Sequence, residues 1–482
     1  MTDPAEHQML PERPVPLTAF ERRFKHPPGL VILFFAEMWE RFSYYGMRGL
    51  LKLYMANYLF VSAREALQGC RHDTPPCALV PGDPNQILFW DFFSQYLPTN
   101  PEEAAAKAYG YYIGLVYATP FFGGIIADRW LGQRKTVIVG GVLMAIGHFV
   151  MALESAFFLA LALLVLGNGA FKPNVSTQVG NLYAPGDPRR DGAFTVFYMG
   201  INLGAFISNL ICGTLAVVYG WHYGFAAAGF GMVLGLCVYI AGQKYLAPDA
   251  RARAAATPSR AAPEHPKLSR DEKRRALALV AICALNVVFW AVYEQQGNTL
   301  QTWADDQTVW PVIFGFQIPS TWYQSVNPLI IILAAPLLDV FWRWQAARGK
   351  EPTSVSKMAI GCFLLGVSFI IMIFGAQVVG TGRGSPIWPL LCVLLLTIGE
   401  LYLSPVGLSL VSKVSPARIV SMMMGVWFLS SFFGGLLSGE IGVLYTRWSK
   451  ESFFLLLTVL GVSAGALIWA FNRPLKAALG QR

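Results

Sequence analysis

Charge is what this sequence has least of. Only 13% of its 482 residues are Asp, Glu, Lys or Arg, against about 25% in soluble domains. Half the usual density cannot coat the surface of so long a chain, which argues against a water-soluble multidomain enzyme. The same composition argues against disordered, collagen-like and disulfide-rich secreted classes. No Walker loop and no Cys/His cluster of metal-ligand spacing occurs, and the six histidines carry no motif. An ATP-driven pump and a metal site therefore have no support. A nucleophile–base pair is missing too, so an intramembrane enzyme has none either. No stretch alternates with period two, which argues against a membrane β-barrel. Of the seven cysteines, Cys212, Cys237, Cys283, Cys362 and Cys392 sit in apolar runs as small packing residues. Cys70 and Cys77 lie in a polar loop and can close a small disulfide where that side is oxidising.

What is abundant is apolar: 55% of residues, with a mean hydropathy of +0.46. A helix needs about 20 mostly apolar residues to cross the hydrocarbon core. Twelve such stretches lie near 29–57, 108–127, 134–154, 156–180, 193–218, 222–245, 274–299, 321–345, 355–379, 386–411, 419–445 and 451–472. The first follows a polar leader, is too long for a signal peptide and contains charges. The expected class is an all-α polytopic membrane protein, seated in a lipid bilayer.

Net charge is +9. In a soluble protein such an excess would suggest nucleic acid; here it marks a side of the bilayer, and no nucleic acid partner is expected. Arg129, Arg134 and Lys135 follow span 2, and Arg189 and Arg190 follow span 4. Arg343, Arg348 and Lys350 follow span 8, and Lys413 and Arg418 follow span 10. Acids dominate the opposite loops, with Asp83, Asp91, Glu102 and Glu103 after span 1 and Asp305 and Asp306 after span 7. Basic residues are retained in the cytoplasm, so both termini are expected there. The Ala/Pro/Arg-rich segment 247–272 has no run able to span and reads as a cytoplasmic linker. It separates an N-terminal six-helix bundle, 1–246, with a long outer loop 60–107, from a C-terminal bundle, 273–482. Trp90-Asp91-Phe92-Phe93 in that loop suits short surface helices.

Charges inside apolar spans are expensive, about 2.5–3.5 kcal/mol each on insertion scales. Span 1 nevertheless carries Glu37, Glu40, Arg41, Tyr44, Tyr45 and Arg48, at offsets 0, 3, 4, 7, 8 and 11. At about 100° per residue these share one stripe, within roughly 60° of a common line. A self-neutralising stripe that glues helices together is the simpler alternative. Lys172 in span 4, Glu294 in span 7 and Glu400 in span 10 point to a shared, water-accessible cavity. Asn202 and Asn327 add neutral amides in spans 5 and 8, or serve as interhelical glue. Pro173, Pro328 and Pro405 are placed to break their helices locally. Trp427, Trp290, Tyr117 and Phe289 can line an apolar pocket or simply pack.

These residues carry a resemblance. GGIIADRWLGQRKT (123–136), with Asp128 and Arg129, resembles the loop motif of the major facilitator superfamily. EMWERFSYYG (37–46) resembles the ExxERFxYY signature of its proton-dependent oligopeptide transporter family, also called the peptide transporter family. FTVFYMGINLGAF (194–206), FKPN, FWAVYEQQG and GELYLSPVG resemble that family's spans 5, 4, 7 and 10. The resemblance implies two six-helix bundles around a central site and inward symport of di- and tripeptides with protons, without a cofactor. It also implies residence in the bacterial inner membrane and function as a monomer. Span 2 lacks the histidine of animal relatives, so proton coupling is expected of carboxylates: Glu37, Glu40 and Glu294, working with Arg41 and Lys172. Glu37 or Glu40 is expected to pair with Lys172, and Glu294 with Arg48 across the two bundles. Substrate contacts are expected from Arg48 and Lys172 to a peptide carboxylate and from Glu400 to its amine. Asn202 and Asn327 would meet its amides. Tyr44, Tyr45, Tyr117, Trp290, Ser404 and Trp427 complete that set. Asp128 and Arg129 would form the conformational motif. The rival is a superfamily transporter of another small solute, such as nitrate, a drug or a glycoside; the anionic Glu400 argues against a simple anion.

Overall fold

A computed structural model describes residues 23–61, 88, 95–184, 187–248, 269–416, 419–470 and 472. Cys70, Cys77, Asp83, Trp90 to Phe93, Arg418 and nearly all of 247–268 lie outside the described residues. Among the described residues, twelve long helices cross back and forth. They are α1 (Pro28–Tyr54), α2 (Pro101–Ile126), α3 (Gln133–Val150), α4 (Phe157–Asn181), α5 (Arg189–Tyr219) and α6 (Trp221–Ala241). In the second half they are α7 (Arg270–Tyr293), α8 (Val326–Ala347), α9 (Ser354–Val379), α10 (Ile387–Val414), α11 (Val420–Arg447) and α12 (Lys450–Ala470). Ten helical segments are long and apolar enough to cross a membrane. The other two helices are α1, with its charged stripe, and α3, which opens on Gln133-Arg134-Lys135. The chain is an integral membrane protein.

Local chemistry sets the helix ends. Asn100 caps α2, its side chain accepting from the N–H of Glu102 at 2.9 Å, with Pro101 in the first turn. Span 2 therefore starts seven residues before its apolar run, and Glu102 and Glu103 belong to its first turn rather than to a loop. Ser269 and Glu272 form a reciprocal capping box on α7. Gly132, at φ 79°, turns the chain from the π-helical end of α2 into α3. Between α4 and α5, Arg189 donates to Asp187 at 2.8 Å and holds that carboxyl below its ordinary range.

The prolines do not interrupt their helices as expected. α4 runs through Pro173, α10 runs through Pro405, and Pro328 sits in the first turn of α8. The break falls in span 7 instead. α7 ends at Tyr293, a tight turn covers Glu294–Gln296, and a short helix resumes over Thr299–Asp306. Elsewhere a freed carbonyl is recaptured. Pro120 inside α2 has no N–H for the Val116 carbonyl, and Asn168 Nδ2 of α4 donates there at 3.2 Å.

α1 packs on α5 and α6, and α3 on α4, in the first half; α9 packs on α10 and α12, and α7 on α11, in the second. The halves meet along α2–α11 and α5–α8. On the first seam, Gly110 and Gly114 of α2 face Gly435 and Gly439 of α11. A Cβ on Gly435 would lie 2.6 Å from the Gly114 nitrogen, and one on Gly439 would lie 3.0 Å from the Lys107 carbonyl. Small residues at four-residue spacing let the two backbones touch.

Candidate functional site

The near side is taken as the one holding the start of α1 and the end of α12; the far side holds the α1–α2 connection. A central cavity of about 240 Å³ lies between the halves. Its walls include Arg41, Tyr45 and Arg48 of α1, Tyr117 of α2, Lys172 of α4 and Asn202 of α5. The second half supplies Trp290 of α7, Asn327 of α8, Glu400 and Ser404 of α10, and Trp427 of α11. Tyr198, Leu408 and Phe428 line it toward the near side and are themselves solvent-accessible, so the cavity opens that way.

The far side is closed. Arg48 donates to Glu294 at 2.5 Å, across the two halves, and to the Tyr109 hydroxyl at 2.7 Å. Both members of the ion pair are buried. One turn further out, Lys52 is fully buried and donates to Glu102 at 2.6 Å. That carboxylate also accepts from Thr302 of the second half at 2.9 Å. Glu103 takes two bonds from Arg447, at 2.6 and 3.1 Å, and Lys107 meets Glu440 at 3.0 Å. The break in span 7 is stitched to this closure. Asn298 donates to the Ala106 carbonyl at 3.2 Å and Gln295 to the Ser438 carbonyl at 2.9 Å. Sequence reasoning missed Lys52, Tyr109, Thr302 and Arg447.

Four site residues stand behind the cavity surface. Glu37 and Glu40 both engage Arg41, Glu37 at 3.3 Å and Glu40 through two guanidinium hydrogen bonds. The expected pairing of either glutamate with Lys172 is thus replaced by Arg41, which sits one residue and one helical turn away. Arg41 further donates to Asn168 at 3.2 Å, joining the stripe to the carbonyl that Pro120 frees. Lys172 lies over the Tyr117 ring, its Nζ 5.1 Å from the centroid. Tyr44 is buried under Arg41, and Glu294 lies behind Arg48.

On the opposite wall, Glu400 accepts from the Tyr293 hydroxyl at 2.7 Å and from Asn327 Nδ2 at 3.1 Å. Asn327 also donates to Thr397 at 2.9 Å, so it orients the carboxylate as well as lining the cavity. Asn202 donates to the Tyr198 carbonyl at 2.9 Å, one turn back. Trp290 Nε1 and one oxygen of Glu294 are buried without a hydrogen-bond partner among the described residues. Asp128 and Arg129 sit apart, in the π-helical turn Ala127–Leu131. In that motif Arg134 makes the visible cross-link, donating to the Leu246 and Ala247 carbonyls at 2.6 and 2.8 Å.

Two helical bundles, closed on one face around a cavity with cations on one wall and a carboxylate on the other, define a membrane transporter of the major facilitator type. The POT family (PTR2) matches residues 134–250 and 253–456. The chain is 34% identical to the peptide transporter YePEPT of Yersinia enterocolitica, over 87% of this chain and 88% of that one. It is 31% identical to a di-/tripeptide transporter of Lactococcus lactis, over 95% and 97%. A crystal structure of the peptide transporter POT in complex with sulfate superimposes with a TM-score of 0.79 at 32% identity, covering 96% of this chain and 97% of that one. The chain belongs to the POT family.

Proposed function

We propose that this protein imports di- and tripeptides across the bacterial cytoplasmic membrane, together with protons, by alternating access. The observation that carries the reading is the polarity of the cavity. Arg41, Arg48 and Lys172 line the wall of the first half, and Glu400 lines the wall of the second. A peptide zwitterion laid across it meets opposite charge at each end. The ends of a peptide are invariant and its side chains are not, so a general transporter grips the termini and tolerates the rest. Arg48 and Lys172 take the carboxylate, Glu400 the amine, and Asn202 and Asn327 the amides. Tyr45, Tyr117, Trp290, Trp427 and Ser404 surround variable side chains.

Proton coupling follows from the ion pair that shuts the far side. Arg48 cannot satisfy both Glu294 and a peptide carboxylate fully. A proton on Glu294 releases Arg48 to the peptide and loosens the link between halves, so a proton and a peptide together unlock what neither opens alone. Glu37 and Glu40, clamped on Arg41, are two further carboxylates that serve the coupling, with Lys172 the next cation along the same cavity wall. The near side is the cytoplasm, with both termini there, and the cytoplasmic linker 247–272 joins the two six-helix bundles, 1–246 and 273–482, that move against each other. Asp128 and Arg129 mark the near-side turn that must shift as they rock. A monomer contains every group named, and protons are the only coupling species required.

The test is uptake of labelled dialanine into proteoliposomes. Accumulation with an inward proton gradient, lost when the gradient is collapsed, is the expected result. Gradient-independent uptake would overturn the symport. Failure of dialanine and other dipeptides to compete for uptake would overturn the substrate class.

A further inference from the structure

A second cavity, of about 200 Å³, lies on the flank of the α5–α8 seam. Phe206 and Leu210 of α5 form one wall, Val326 and Leu329 of α8 the other, with Trp310 and Trp322 above them. The Tyr323 hydroxyl beside it is buried without a hydrogen-bond partner among the described residues, and the other polar side chains around it are engaged. The Trp310 indole N–H donates to the Ala304 carbonyl at 2.6 Å, that of Trp322 to Thr214 at 3.1 Å, and Ser325 Oγ to the Phe206 carbonyl at 2.7 Å. What the cavity presents is hydrocarbon and ring faces. Ile211 and Leu329 are exposed beside it, on the flank these helices turn to lipid.

Over the cavity the chain forms a hairpin, Val312–Ile313 paired with Phe316–Gln317. Its turn residues, Phe314 and Gly315, have φ of 51° and 80°. That mirror-image turn favours Asn-Gly, and a bulky ring in the left-handed region is strained. The ring gains no packing in exchange, because Phe314 is fully exposed and Val309, Val312 and Ile313 are exposed with it. An apolar tip with no protein partner among the described residues is favoured by lipid and disfavoured by water.

We propose that the α5–α8 groove is a lipid site: it holds an acyl chain from the far-side leaflet, and the hairpin tip dips into the headgroup–acyl boundary beside it. Phe206 and Leu210 belong to one half and the other seven lining residues to the other half. The bound chain therefore bridges the halves and favours the far-closed state, a consequence that rests on the alternating-access reading above.

The test uses the full-length protein in liposomes doped with a phosphatidylethanolamine that carries a diazirine in its acyl chain. After illumination, adducts are mapped by peptide mass spectrometry. Adducts are expected on 206–214 and 310–329. Leu210→Trp, which fills the groove, should remove most of them while adducts around Leu337, on the exposed face of α8, persist. Leu329→Trp fills the groove from the opposite wall and serves if the first variant does not fold. Phe314→Ser should lower labelling of the hairpin alone. Absence of groove adducts beside normal labelling near Leu337, or groove adducts untouched by either tryptophan, would overturn the proposal. Labelling is read without transport, so a negative result leaves the peptide reading standing.

Discussion

The buried Lys52–Glu102 pair makes an asymmetric prediction. Lys52 has no exposed surface, whereas the Glu102 side chain keeps 24% of its own. Breaking a buried pair by removing one partner costs about 3–5 kcal/mol, because the survivor is left charged and unpaired. Glu102→Gln strands the fully buried ammonium; the amide oxygen still accepts one hydrogen bond and water reaches that edge, so about 2–3 kcal/mol is expected. Lys52→Met strands a carboxylate that retains Thr302 and water, and about 1 kcal/mol is expected. The double variant removes both charges and should return to within about 1 kcal/mol of the wild type, as apolar replacements of buried pairs do. Thermal unfolding in one detergent at one scan rate gives the comparison. The expected order, from least to most stable, is Glu102→Gln, then Lys52→Met, with the double variant near wild type. If Glu102→Gln melts with the wild type, or the double variant melts no higher than Glu102→Gln, the pair is not the buried electrostatic contact argued for.

Glu294→Gln should abolish gradient-driven accumulation of dialanine yet keep counterflow exchange, because it fixes the neutral form; a folded variant that accumulates at the wild-type rate would eliminate Glu294 as the coupling site. Glu400→Gln should weaken dipeptide competition by about 1.5–3 kcal/mol, on the order of tenfold or more, through loss of a charge-assisted contact; unchanged affinity would refute its role. Arg48→Ala and Lys172→Ala should each impair peptide uptake, and normal uptake in both would sink the carboxylate assignment. Gly439→Val would drive a branched side chain into the α2 backbone at Lys107 and Gly110. It should raise far-side cysteine labelling by holding the seam ajar, which unaltered labelling would contradict.

Much of this site was legible because charge in an apolar span has few innocent explanations. Arg48, Lys172 and Glu400 all reach one cavity, with Glu294 directly behind. Lys52 was missed, although the same stripe marked it. It lies fifteen residues beyond Glu37, about 60° round the helix, on the same stripe. The partner of the two glutamates was written locally: Glu37 and Arg41 are four residues apart, the spacing of neighbours on a helix face. The start of α2 was masked by its acids, although Asn100-Pro101-Glu102-Glu103 is a strong helix opening. The break at Glu294 had no such signal. Residues 274–299 are apolar enough to read as one span, and the interruption is held by bonds from Gln295 and Asn298 to α2 and α11, which only the folded chain brings near.

The glycine seam between α2 and α11 has a mechanical consequence. At Gly110, Gly435 and Gly439 backbone lies against backbone, with the Leu436 side chain against Gly114 as the seam's one tooth, and such a joint offers little resistance to sliding. Beside the buried Arg48–Glu294 link, resistance is added at its rim, in Glu103–Arg447 and Lys107–Glu440, where Arg447 and Glu440 are open to the medium. Exposed ion pairs weaken as salt rises, over a screening length of about 8 Å at 0.15 M. The rim's share of the hold between the two halves is therefore tuned from outside the protein, by the ionic strength of the liquid bathing its far side, while the buried Arg48–Glu294 share is not.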